Sequence, residues 1–159
     1  MSARSPFEYL HYLTTVTIRL AGEYETKVLP EPQDGRIHVL MPGLLVIVQD
    51  AHAALSMAGI WRAATRQAET IFNGRRAEQY RVLRRITSHT SVCLTGLQNA
   101  TETYGRAHPY STSRCGELAV QVGGVTVICD DRAAFDVQVQ MWQAAAAAVE
   151  TVWPGKYQR

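Results

Sequence analysis

The chain has 159 residues, 47% of them hydrophobic and 19% charged, with a net charge of +2, a balance that suits one well-buried globular domain rather than two marginal ones of about 75 residues. No apolar run approaches the ~18 residues of a membrane span, and the opening MSARSPFEYL lacks the apolar stretch of a secretory signal. A cytoplasmic protein with no membrane partner is expected.

The first strand expected is TTVTIRL (14–20), followed by RIHVLM (36–41) and LLVIVQ (44–49). Pro42-Gly43 between the last two suits a type II turn. Asp50 stands where a helix N-cap should stand, its carboxylate able to accept free backbone N–H groups. A helix then runs over about 50–72, with Ala54, Met57, Ala58, Ile60, Trp61, Ala64, Ala68, Ile71 and Phe72 on one face. Asn73-Gly74 stops it.

RRAEQYRVLRRIT (75–87) contains good helix formers and no Gly or Pro, which predicts a short Arg-rich linker helix. TSVCLTG (90–96) resembles 14–20 at a shift of 76. The polar stretch 98–114 reads as a long loop. ELAVQV (117–122) and VTVICD (125–130) form a hairpin around Gly123-Gly124, where both positions tolerate positive φ. Asp131 is the second expected N-cap, opening a helix over 131–153 whose apolar face carries Phe135, Val139, Met141, Trp142, Ala145, Val149, Val152 and Trp153. Pro154-Gly155 ends it.

Residues 35–72 lie on 116–153 at a constant shift of 81 with no gap. Twelve of the 38 aligned positions are identical, where composition alone gives roughly two or three. Gly35/Gly116, Val39/Val120, Gly43/Gly124, Asp50/Asp131, Trp61/Trp142, Glu69/Glu150 and Thr70/Thr151 are among them. With the shift of 76 for the first strand, the connecting loop is five residues longer in the second half. The repeat implies one α+β domain of two β-β-β-α units, about 10–73 and 89–154, joined by the linker helix. Paired about a pseudo-two-fold axis, they would form an antiparallel sheet of about six strands with both long amphipathic helices on one face.

Segments without a counterpart in the other half are the candidates for function. On 75–87, Tyr80, Val82, Leu83 and Ile86 share one side and Arg81, Arg84 and Arg85 the other. With Arg75 and Arg76, and with Arg62 and Arg66 on the preceding helix, they make a basic patch. Between residues 62 and 85 seven arginines face only Glu69 and Glu78. Guanidinium forks match phosphate oxygens, so this is a nucleic-acid candidate. The plainer reading is a solvated face in a chain that uses fourteen Arg against two Lys.

In the 98–114 loop, Tyr104, Arg106, His108, Tyr110 and Arg114 offer donors, aromatic surface and charge for an anionic small molecule, or simply line a surface connection. Ala144, Ala147 and Ala148, with Val137, leave the second helix without a polar back face. That surface suggests a contact with a second copy or a protein partner.

No metal or cofactor is expected. The five histidines lack ligand spacing, and the three cysteines lack a CxxC pair. Cys93 and Cys129, in expected strands, read as small core residues, while Cys115 ends a loop. Nucleophile elbows, P-loops and dinucleotide fingerprints are missing from the sequence. The leading expectation is a non-catalytic interaction or scaffold protein that self-associates or docks a protein partner. The alternatives are nucleic-acid binding through the arginines, and a small-molecule or enzyme site between the repeats.

Overall fold

The structure, a computed structural model, describes residues 15–72, 89–100, 102–107 and 116–155. In chain order its elements are β1 (Val16–Leu20), β2 (Lys27–Glu31), β3 (Arg36–Met41), β4 (Gly43–Val48), α1 (Ala51–Ala63), α2 (Thr65–Phe72), β5 (His89–Leu94), β6 (Glu102–Ala107), β7 (Gly116–Val122), β8 (Val125–Cys129), α3 (Arg132–Ala147) and α4 (Val149–Val152). Each half therefore carries four strands before its helical segment, not three. The stretch expected to be a loop contains β6. The linker helix over 75–87 lies outside the described residues.

The strands form two four-stranded sheets, not one sheet of about six. Their orders are β2-β3-β4-β5 and β1-β8-β7-β6. The exchange is reciprocal. β1 leaves its own half to pair in parallel with β8, and β5 leaves the second half to pair in parallel with β4. The remaining neighbours are antiparallel hairpins. A parallel partner needs a long crossover, which the intervening hairpins and helices supply.

Register corrects the alignment of the first strands. Ile18 lies opposite Val127 and Val92 opposite Val46. Since Val46 and Val127 correspond at 81, Ile18 corresponds to Val92, an offset of 74 rather than 76. This brings VTIRLAG onto TSVCLTG, with Leu20 on Leu94 and Gly22 on Gly96. A slip of two residues keeps every side chain on the same face, so burial pattern alone could not detect it. The length difference also moves. Glu31 faces Arg36 and Arg106 faces Glu117, so most of the extra chain lies between β6 and β7.

Both hairpins of the repeat form as read, with one change of turn. Gly43 takes φ +81°, as a type II turn requires, but in Gly123-Gly124 only Gly123 has positive φ, which fits type II′.

Each helical segment is interrupted once, at Ala64 and at Ala148. Neither Gly nor Pro explains the breaks. They do change what the apolar stripe meets. α1 packs on α3, α2 lies over β6 and β7, and α3 also meets β2 and β3. The two helical segments thus cover different sheets rather than sharing one face. Trp61 and Trp142 are both buried, with Ile37, Val39, Val48, Phe72, Leu118 and Phe135 among the other enclosed side chains. The Trp61 and Phe135 rings meet at 5.9 Å, tilted by 49°.

Candidate functional site

Two places stand out among the described residues. One is the seam where strands are exchanged and the cavity behind it, and the other is the outer face of the first sheet.

The seam is fastened by the two repeated aspartates. Asp50 caps α1 by accepting from Ala53 N–H at 2.9 Å, and Asp131 caps α3 by accepting from Ala134 N–H at 2.8 Å. Each carboxylate has a second oxygen, and each uses it on the strand borrowed from the other half. Gly96 N–H donates to Asp50 Oδ2 at 2.5 Å, and Gly22 N–H donates to Asp131 Oδ2 at 2.7 Å. Gly22 and Gly96 take φ of +67° and +74°, a left-handed turn that only glycine adopts cheaply.

The ladder continues equivalently through Asp130 N–H to Leu20 O and Gln49 N–H to Leu94 O. The chemistry around the two seams differs. At one, Arg19 Nη1 bonds Asp130 Oδ1 at 2.5 Å and Glu117 Oε2 at 3.0 Å. Burial works against the Arg19 charge, but the two carboxylates outweigh it and raise its pKa. At the other, Thr95 Oγ1 donates to Gln49 Oε1 at 2.6 Å, with no charge involved. Cys93 takes the position of Arg19 there and is exposed, so it is not a core residue; Cys129 is buried.

Behind the seams lies a cavity of about 30 Å³. Corresponding side chains of the two halves meet in it, including Leu44 with Val125, Trp61 with Trp142 and Met57 with Gln138. Gln138 is fully buried on the apolar face of α3. Its Nε2 donates to Tyr24 Oη at 2.8 Å and approaches Met41 Sδ at 3.3 Å, while Tyr24 Oη donates to Ala134 O at 3.0 Å. Burial pushes the Tyr24 phenol well above its ordinary range, with neighbouring Cys129 and Asp131 adding and the Gln138 bond opposing. Two buried polar atoms of the residues that line it have no hydrogen-bond partner among the described residues, Trp61 Nε1 and Gln138 Oε1.

The outer face of the first sheet is the second feature. Across the strands, Leu29, His38, Ile47 and Cys93 form one row, and Lys27, Leu40, Leu45 and Ser91 the next. Leu29 is 45% exposed, and Leu40, Leu45 and Ile47 are half-buried. The matching rows of the second sheet read Tyr104, Ala119, Ile128, Arg19 and Glu102, Gln121, Thr126, Thr17. The two faces differ most in the second of these rows, where Leu40 and Leu45 stand against Gln121 and Thr126; in the other row Ile47 and Ile128 are the same residue, and Ala119 and Ile128 are buried.

The sequence candidates fall as follows. Arg62 and Arg66 are exposed on α1 and α2, and Arg66 lines an open groove of about 320 Å³ with Gln67, Thr70, Ile71 and Gly105. Arg75, Arg76, Arg81, Arg84 and Arg85 lie outside the described residues, as do His108, Tyr110 and Arg114. Tyr104 and Arg106 sit on β6, opposite Ala119 and Glu117, so they are strand residues rather than loop residues, and neither lines the central cavity. On α3, Ala144 and Ala147 are exposed, while Val137 is half-buried and Ala148, the residue at the break, packs against the core.

Gln138 was missed by the sequence reading. The repeat carried the signal, because a glutamine replaces Met57 in an otherwise apolar column. Among the described residues no group of three or more His, Cys, Asp or Glu side chains is placed to hold a metal. None of their helices is long and apolar enough to cross a membrane.

These features define an α+β protein of two four-stranded sheets with reciprocally exchanged strands. No protein-family model, curated protein or solved structure matches the chain.

Proposed function

We propose that the protein is a non-catalytic interaction platform that self-associates or docks a protein partner on the outer face of its first sheet. One observation carries this reading. At corresponding positions Leu40 and Leu45 stand on the first sheet where Gln121 and Thr126 stand on the second. The framework accepts either, so the apolar choice is not dictated by folding, and contiguous apolar surface marks interaction sites.

Size sets the strength of the contact. Four strands of about six residues cover roughly 20 by 20 Å. Two such faces together bury about 800 Å², below the ~1,200 Å² typical of a stable complex. Self-association through this face alone is therefore weak and reversible, and a tight complex requires a partner that reaches beyond the sheet.

Light scattering over a micromolar concentration series tests the reading. Wild-type protein is expected to show a concentration-dependent rise in mass that Leu45→Lys abolishes and Thr126→Lys leaves intact. A wild-type monomer throughout the series rules out self-association.

A second reading rests on Arg66 in its groove, with Arg62 exposed four residues earlier, before the break at Ala64. In this reading both guanidinium groups bind backbone phosphates of a nucleic acid. Binding of that kind weakens steeply with salt.

A further inference from the structure

We infer that the central cavity is a binding site for a single hydroxyl group, held between the indole of Trp61 and the carboxamide of Gln138. The two orphan atoms are complementary. Trp61 Nε1 is a donor only, and Gln138 Oε1 is an acceptor. Both side chains line one cavity and both are buried, Trp61 at 1% exposure and Gln138 at 0%.

The orientation of the carboxamide follows from its neighbours. Tyr24 spends its hydroxyl proton on Ala134 O, so only lone pairs of Tyr24 Oη remain for Gln138. The amide NH₂ must therefore face Tyr24, at 2.8 Å, which leaves Oε1 as the unpaired end. A hydroxyl is the smallest group that accepts from an indole N–H and donates to a carbonyl at once.

Volume restricts the source. The cavity measures about 30 Å³, above the ~10–15 Å³ that a single water needs. A water molecule and the hydroxyl of a one-carbon alcohol share the chemistry and fit the space. A larger guest meets the apolar walls formed by Leu44, Val46, Val120 and Val127. The site also breaks the symmetry of the repeat, since Met57 occupies the position of Gln138 in the first half and offers no comparable acceptor. One guest per chain is expected.

The test uses the full chain, with the three indole N–H signals assigned in ¹H–¹⁵N spectra. A cross-relaxation peak between the Trp61 indole proton and a long-lived water is expected, along with a density peak within hydrogen-bond distance of both Trp61 Nε1 and Gln138 Oε1 in a high-resolution crystal structure. Gln138→Met, which installs the residue used by the other half, should remove the water peak and leave the Trp142 and Trp153 signals in place. Should that variant not fold, the wild-type density decides alone. Methanol titration separates the sources. Saturable methyl-to-Trp61 contacts with loss of the water peak assign the site to small alcohols as well, and their failure to appear assigns it to water. A wild-type protein with neither a water peak nor density at Trp61 Nε1 overturns the proposal, as does a water peak that survives in folded Gln138→Met.

Discussion

Replacing Asp131 by Ser and by Ala separates two functions of one carboxylate. Serine is as good an N-cap as aspartate, so Asp131→Ser keeps the bond from Ala134 N–H and loses the one from Gly22 N–H. That second bond is 2.7 Å long, partly buried and made to a charged acceptor. Bonds of this type contribute about 1.5–3 kcal/mol, and loss of a cap costs about 1 kcal/mol. Asp131→Ser is therefore expected to destabilise by about 1.5–3 kcal/mol and Asp131→Ala by about 1 kcal/mol more. Urea unfolding followed by tryptophan fluorescence gives both numbers, and an unchanged m-value shows that the compactness of the end states has not altered. If Asp131→Ser lies within 0.5 kcal/mol of wild type, roughly the scatter of a surface substitution, the aspartate is only a cap and the exchanged strand is held by its ladder alone.

Cys129→Val should change the alkaline limb of stability. Burial raises the pKa of the Cys129 thiol, and nearby Asp131 and Asp130 add to it, while Tyr24 is raised as well. Both groups stay protonated in the fold but ionise in the unfolded chain near pH 8.5 and 10. Their contribution is full below those values and is lost as pH rises, at about 1.4 kcal/mol per pH unit for each group. Wild type should lose stability between about pH 9 and 11 more steeply than Cys129→Val by about that amount, as read from urea midpoints at each pH; equal slopes would refute the assignment. Gly116→Ala would set a methyl 2.5 Å from Arg106 O and 2.6 Å from Ile71 Cγ2; a loss of about 1–3 kcal/mol is expected, and a neutral result in thermal unfolding would contradict the close approach of α2 to β6 and β7. If Arg62 and Arg66 each contact a nucleic-acid phosphate, Arg62→Gln/Arg66→Gln should lower the slope of log affinity against log salt by about 1.5–2, measurable by fluorescence anisotropy with a labelled oligonucleotide; an unchanged slope excludes both contacts.

Much of this architecture was legible because the repeat wrote it twice. Asp50 and Asp131 marked both helix starts, the alternation in RIHVLM and ELAVQV marked inner faces, and the tryptophans marked the shared core. β2 and β6 were not legible. KVLPE contains Pro30 and ETYGRA contains Gly105, and both are edge strands, where such residues are tolerated and a hydrophobic pattern is not required. The split into two sheets was hidden for another reason. Parallel pairing of β1 with β8 joins residues more than a hundred positions apart, and no local pattern specifies the partner of an alternating strand. Gln138 escaped because its role depends on Tyr24 and Trp61, which come together only in the folded core.

The exchange explains why the aspartates sit where they do. A helix N-cap requires one carboxylate oxygen, and Ser or Thr would serve as well. Serine and threonine bring a single side-chain oxygen, which the cap uses. Only a residue with two acceptors can cap its own helix and also hold the turn that follows a strand from the other half. Asn would present an NH₂ group to Gly22 or Gly96 N–H, donor against donor. Both halves use aspartate at this point, and both place glycine two residues beyond Leu20 and Leu94 to aim the N–H. The surrounding chemistry has diverged, ionic around Arg19 and neutral around Thr95, while the aspartate–glycine contact is the same in each. The contact that joins the halves has therefore changed less than the surfaces they present, which leaves the outer faces free to differ as Leu40 and Leu45 differ from Gln121 and Thr126.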